Sequence, residues 1–184
     1  MRIHYNYRDT YLYNMRIFLI GFMGAGKSFL GKLWGEMYSI PFYDLDTLVE
    51  AEERKTVKNI FEVFGEDYFR EREAAVLRNT DRFENCIIAC GGGTPCFFDN
   101  IHWMNKNGVT VFLNETENNI YKNVKNDKKA RPLIKSQNEE ILQKFIHEKL
   151  KGRIQFYNQS QIVLQSNDLN KDGFSVISKY IKNK

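Results

Sequence analysis

Cysteine is scarce: there are 3 in 184 residues. That number is too small and too odd for a disulfide framework. Cys86, Cys90 and Cys96 are not spaced C-x-x-C, and His4, His102 and His147 lie far from one another. The three read as buried thiols beside a strand rather than as a metal site. Reduced thiols fit a cytoplasmic setting. Long apolar runs are missing too. None approaches the ~18 residues of a membrane span, so no membrane partner is expected. A strong charge of one sign is missing as well. The formal charge is +4, with the basic residues dispersed. This suits small anionic ligands and gives no reason to expect nucleic acid. Residues 1–14, MRIHYNYRDTYLYN, contain no continuous apolar core of a secretory leader. They are expected to be a disordered tail, and Met15 is an alternative start. No internal repeat or long linker interrupts the rest.

What is present is an alternation of short apolar runs with helical patterns. At 42% hydrophobic and 27% charged, the composition is that of a globular chain, and the length suits one domain, 15–184. RIFLI (16–20) reads as a buried strand. Leu30, Leu33, Trp34 and Met37 mark a helix face. Phe42–Leu45 is a strand after Pro41, and 47–54 a helix. Val57, Ile60, Phe61 and Phe64 form a helical face stopped by Gly65, and a charged helix follows over 66–79 with Phe69, Val76 and Leu77 inward. Cys86–Cys90 is a strand, Phe98–Lys106 a helix stopped by Gly108, Val109–Leu113 a strand and Asn118–Val124 a helix. Residues 125–136 are basic, broken by Pro132, and read as a loop. A long helix spans Asn138–Tyr157, with Ile141, Leu142, Phe145, Ile146 and Leu150 inward and Gly152 as a weak point. Gln161–Leu164 is a strand, and Val176, Ile177, Tyr180 and Ile181 mark a last helix. This order implies an α/β fold: three layers, α/β/α, around a central five-stranded parallel sheet. Ligands in such folds sit at the carboxyl ends of the strands.

At the end of the first strand stands Gly21-Phe22-Met23-Gly24-Ala25-Gly26-Lys27-Ser28, which matches G-x-x-x-x-G-K-[ST]. Such a loop wraps an anion with backbone N–H groups, and glycines permit the close approach. The next helix aims its N-terminus at the phosphates. Gly21, Gly24, Ala25, Gly26, Lys27, Ser28 and Phe29 are therefore candidates for binding a nucleoside triphosphate. Lys27 is expected to reach the β- and γ-phosphates and Ser28 to ligate Mg²⁺.

Asp44-Leu45-Asp46 ends the second strand. Residues two apart in extended chain face the same way, so both carboxylates can face the phosphates. Equally, Asp46 can simply cap the helix beginning at Thr47. The spacing leaves both readings open. A second glycine run, Gly91-Gly92-Gly93, ends the third strand.

The order of GFMGAGKS, DLD, FRERE, GGG, RPL and R-x-x-F-Y resembles the shikimate kinases, small P-loop kinases of the nucleoside-monophosphate-kinase-like group. The resemblance runs from about Met15 to the C-terminus. It implies the P-loop NTPase fold with a lid (about 125–136) and acceptor-binding segments. It also implies transfer of the ATP γ-phosphoryl group to the 3-hydroxyl of shikimate, in aromatic amino acid biosynthesis, with Mg²⁺ as cofactor. By motif, Asp46 matches the aspartate at the ring hydroxyls and Asp44 the one holding Mg²⁺, partly through water. Arg70 and Glu73 share a helix face. They match a carboxylate-binding arginine and the glutamate that steadies it, a task suited to the planar guanidinium fork. Arg72 keeps a surface role. Arg153 matches a second carboxylate-binding arginine, and Arg131 the lid arginine at the transferring phosphate. Gly92 and Gly93 are expected to meet the acceptor ring, with Gly91 serving the turn. One departure stands out: Val124 occupies a position where many members carry an arginine against the adenine. A monomer is expected. Two rivals remain: a P-loop kinase of another small hydroxylated acid or a nucleotide, such as a gluconate kinase, and a non-catalytic nucleotide-gated binding module.

Overall fold

The structure is a computed structural model that describes residues 15–126 and 139–184. The predicted tail and the lid motif Arg131-Pro132-Leu133 lie outside the described residues. Strands β1 (Arg16–Ile20), β2 (Phe42–Asp44), β3 (Cys86–Ala89), β4 (Val109–Asn114) and β5 (Ile162–Gln165) form one sheet in the order β2-β3-β1-β4-β5. Every pairing is parallel. The helices are α1 (Lys27–Tyr38), α2 (Leu45–Glu53), α3 (Val57–Arg78), α4 (Asn100–Asn107), α5 (Glu117–Asn126), α6 (Glu139–Tyr157) and α7 (Phe174–Lys182). Among the described residues, no helix is long and apolar enough to cross a membrane.

The alternating strand residues explain the two main cores. Phe18, Ile20, Ile88 and Phe112 point to one side of the sheet and pack with Ile60, Phe69, Leu77 and Tyr157. Ile17, Leu19, Ile87, Val111 and Leu113 point to the other, against Leu30, Trp34, Phe174 and Ile177. A third cluster, Phe22, Ile120, Val124, Leu142 and Ile146, lies under the phosphate-binding loop.

Several expectations need correction. β2 stops at Asp44, and α2 begins at Leu45 rather than Thr47. Lys125 and Asn126 belong to α5, not to a loop. α6 runs through Gly152 unbroken. The segment expected to be helical from Phe98 begins its helix at Asn100, because Phe98 and Asp99 both adopt left-handed backbone conformations. Met37, Phe64, Ile141 and Val176 are exposed, and Phe145 lies at the margin of exposure. Met37, Ile141, Phe145 and Val176 lie at the edge of the buried stripe of their helices, one step of ~100° off the core-facing line, whereas Phe64 shares the face of Ile60 and is left uncovered just before Gly65. On α6, for instance, Leu142 and Ile146 carry the burial. Gly65 does break its helix as expected. Gly65 has φ 82° and ψ 176°, outside the helical region, so the two halves of α3 meet at a kink.

Candidate active site

The carboxyl ends of β1, β2 and β3 open onto a cleft of about 340 Å³. Lys27, Ser28, Asp44, Asp46, Arg70, Glu73, Gly91, Gly92, Gly93 and Arg153 all line it. The residues assigned to the triphosphate end, the metal and the acceptor thus converge on one place, whereas Gly21, Gly24, Ala25, Gly26 and Phe29 do not line the cleft and Arg131 lies outside the described residues.

The phosphate-binding loop follows buried β1. Gly24 and Gly26 adopt φ of 78° and 88°, a left-handed turn that side chains resist. The turn brings Met23 and the first two residues of α1, Lys27 and Ser28, to the cleft. Ala25 is buried beneath the loop, whereas Phe29 is 69% exposed on α1. Lys27 is the first residue of α1, and its Nζ donates to the carbonyls of Gly21 and Phe22 at 3.0 and 2.8 Å. Burial pulls its pKa down to about 8, against the attraction of Asp46 and Asp44. A half-buried ammonium at the end of a left-handed glycine turn suits an anion.

Ser28 Oγ donates to Asp44 Oδ2 at 2.6 Å. The other oxygen of Asp44, Oδ1, accepts from the backbone N–H of Asp46 at 3.1 Å. Asp44, not Asp46, is therefore the cap of α2. The two carboxylates reach the cleft by a strand end and a first helical turn rather than by strand alternation. Asp46 is thereby spared the capping role.

Arg70 and Glu73 sit in the second half of α3 and are 7% and 0% exposed. Arg70 donates to Glu73 Oε2 at 2.9 Å and, through Nε and a terminal nitrogen, to Glu66 Oε1 at 3.1 and 3.0 Å. The rings of Phe97, Phe69 and Phe61 surround its guanidinium at 4.7, 5.0 and 5.9 Å. Burial works against the charge, and the two glutamates more than offset it, so its pKa rises. Arg72 is paired instead with Glu52 and Glu53 at the end of α2.

The glycine triplet follows β3, whose register beside β1 puts it next to the phosphate-binding loop. A Cβ on Gly93 would lie 2.6 Å from a terminal nitrogen of Arg70. One on Gly91 would lie 2.7 Å from Glu73 Oε1 and 3.2 Å from Asp46 Oδ1, so Gly91 does more than serve the turn. Gly92 presents its carbonyl to the Tyr157 hydroxyl at 2.6 Å. Arg153 stands one turn before Tyr157 on α6, 5.6 Å from the Phe22 ring.

Three supporting residues had not been singled out. Tyr157 anchors Gly92. Asn123 Nδ2 donates to the Gly24 carbonyl at 2.8 Å. Thr94 Oγ1 donates to Glu73 Oε1 at 2.6 Å. Their partners lie far away in sequence, and the only local hint was the position of Tyr157 in the R-x-x-F-Y motif.

The sequence profile described as Shikimate kinase matches residues 23–183. The chain belongs to the shikimate kinase family. A shikimate kinase from Bacteroides thetaiotaomicron is 41% identical over 155 residues, spanning 84% of this chain and 89% of that relative. The 1.7 Å crystal structure of a shikimate kinase from the same species superposes with a TM-score of 0.81 at 38% identity, covering 92% of this chain and 95% of that one. A shikimate kinase from Acinetobacter baumannii, solved in complex with shikimate, superposes with a TM-score of 0.82 at 26% identity, covering 95% and 97%. The P-loop NTPase fold expected from the motifs is the one these shikimate kinases share. In this member, Val124 is buried against Phe22, Ile120, Leu142 and Ile146. The neighbouring Lys125 pairs with Glu139 across the start of α6.

Proposed function

We propose that the chain transfers the γ-phosphoryl group of ATP to the 3-hydroxyl of shikimate, giving shikimate 3-phosphate and ADP on the route to chorismate and the aromatic amino acids. The observation that carries this reading is a single cleft with the phosphate-binding loop at one end and the buried Arg70 at the other. A hydroxylated ring acid bridging that distance meets amides and an ammonium on one side and a guanidinium on the other.

Each residue's task follows from its position. The loop amides of Gly21–Ser28 and Lys27 bind the triphosphate and neutralise the charge that spreads over its oxygens. Ser28 Oγ and Asp44 Oδ2 are hard oxygen donors already held together, a pair that fits Mg²⁺ sharing its other positions with phosphate and water. Held there by Ser28 and Asp44, Mg²⁺ would supply neutralisation of phosphate charge. Arg70, steadied by Glu73, holds the acceptor carboxylate, and Arg153 supplies the second cation. Gly91–Gly93 leave room for the ring. Asp46 accepts a hydrogen bond from the attacking hydroxyl and orients it, with its carboxylate placed to receive the proton. As the new O–P bond forms, the bond from the γ-phosphorus to the β,γ-bridging oxygen breaks and ADP leaves. The family resemblance assigns Arg131 to the transferring phosphate. We expect a monomer. The free thiols of buried Cys86 and Cys90 and half-buried Cys96, rather than the three fully buried thiols expected, fit a reducing, cytoplasmic setting.

The test is ADP release with shikimate, gluconate and nucleoside monophosphates as acceptors, with the phosphorylated position read by NMR. We expect turnover with shikimate and a 3-phosphate product. Turnover confined to the other acceptors would reject the reading, as would ATP binding without transfer to any of them.

A further inference from the structure

Glu73, Thr94 and Asn100 are each 0% exposed, and they form one hydrogen-bonded chain under the acceptor end of the cleft. It begins at Arg78 in the last turn of α3, which donates to Asn100 Oδ1 at 2.6 Å. Asn100 Nδ2 donates to the carbonyl of Thr94 at 2.8 Å. Thr94 Oγ1 donates to Glu73 Oε1 at 2.6 Å, and Glu73 Oε2 accepts from Arg70 at 2.9 Å. The chain thus leaves α3 at one arginine, crosses the loop after the glycine triplet and returns to α3 at the other.

A fully buried carboxylate is costly unless each oxygen is matched. Arg70 matches one oxygen of Glu73. The Thr94 hydroxyl matches the other, and the carboxylate plane is then held at both ends. Gly91 makes room for this. A Cβ there would lie 2.7 Å from Glu73 Oε1 and 3.0 Å from Thr94 Oγ1, on top of the hydrogen bond. The missing side chain at Gly91 is explained by the Thr94–Glu73 contact as much as by the ligand.

We propose that Thr94 is a positioning residue for the acceptor: its hydroxyl fixes the Glu73 carboxylate, so that Arg70 presents its remaining N–H groups to the acceptor carboxylate. Asn100 and Arg78 hold the Thr94 backbone in place for this. The proposal rests on the reading that Arg70 binds the carboxylate of shikimate.

The test compares Thr94→Val, which keeps the shape and removes the donor, with Thr94→Ser, which restores it. Calorimetry measures the binding of shikimate and of shikimate carboxamide, whose acid group is neutral, and steady-state kinetics measures turnover. In the wild type, the acid is expected to bind more tightly than the amide. Thr94→Val is expected to narrow that preference about tenfold, the loss of one hydrogen bond to a charged group. Its KM for ATP should stay within about twofold, and Thr94→Ser should recover most of the preference. A preference unchanged in Thr94→Val, even with both ligands weakened, means a purely structural role and overturns the proposal. Equal weakening of ATP does so too. If thermal melting shows that Thr94→Val does not fold, Thr94→Ala is measured by the same criteria. A wild type that binds shikimate without phosphorylating it rejects the functional reading while leaving the acid-to-amide ratio to decide this one. A wild type with no preference for the acid overturns the assignment of Arg70 to the carboxylate and this proposal with it, while turnover alone decides the functional reading.

Discussion

Lys27 Nζ donates to two carbonyls, and loss of solvation brings its pKa down to about 8. Triphosphate oxygens would favour the ammonium and raise that value. The free enzyme therefore loses the charge that recruits ATP as pH rises through about 8. We expect kcat/KM for ATP to fall there by about tenfold per pH unit, because that ratio reports the free enzyme. kcat at saturating ATP should hold to higher pH. A pH–rate series checks this, and a kcat/KM flat to pH 10 would count against it. Lys27 was legible from the sequence because its loop is contiguous: eight neighbouring residues carry the glycines, the ammonium and the hydroxyl. Thr94, Tyr157 and Asn123 were not, because their partners lie 21, 65 and 99 residues away. A threonine or asparagine in isolation carries no sign of which distant atom it will meet. The role of Asp44 was hidden for a different reason. The capping alternative attached to Asp46, and a helix beginning two residues earlier moved the cap to Asp44.

At the level of elements, hydrophobic periodicity located the strands and helices well. It misjudged which side chains at the edges of each stripe would be covered. Phe64 continues the face of Ile60 in number, but it precedes the break at Gly65 and is left 46% exposed against Tyr68. That break has a use. Val57 and Phe61 of the first half and Arg70 and Glu73 of the second half line the same cleft, which a straight helix would not arrange in this way. Gly65 combines φ 82° with ψ 176°, a region essentially closed to other residues. Beyond its chain neighbours and the adjoining helix backbone, no atom lies within 4 Å of a Cβ placed there, so the penalty for Gly65→Ala is in the backbone. We expect a loss of about 1–3 kcal/mol. A lower melting temperature and a raised KM for shikimate should accompany it, as the wall formed by Val57 and Phe61 shifts. An unchanged melting curve and KM would show that the break is dispensable.

Across the whole molecule, alkaline stability is set by opposing buried groups. Burial pushes the Cys86 thiol up to about 11 and raises those of Cys90, Cys96 and Tyr157. For these groups the folded state keeps protons that the unfolded chain gives up, so stability falls as pH climbs past the unfolded value of 9.0 for the thiols. Lys27 works the other way. Its folded value is depressed, the unfolded chain binds the extra proton between about 8 and 10.5, and stability rises across that window. The single lysine can offset the thiols only while they remain mostly protonated. We expect the melting temperature without nucleotide to be nearly level from pH 8 to 9. It should then drop by on the order of 5 °C by pH 10.5. A steady rise over that range would contradict the balance described.

The carboxylate of Asp44 faces two helices at once. One oxygen meets Ser28 in the first turn of α1, and the other meets the amide that opens α2. The platform for the nucleotide and the platform that carries Asp46 are therefore riveted through one side chain. Neither helix can shift its first turn without pulling on the other, so the spacing between donor and acceptor is written into the joint where the two helices begin.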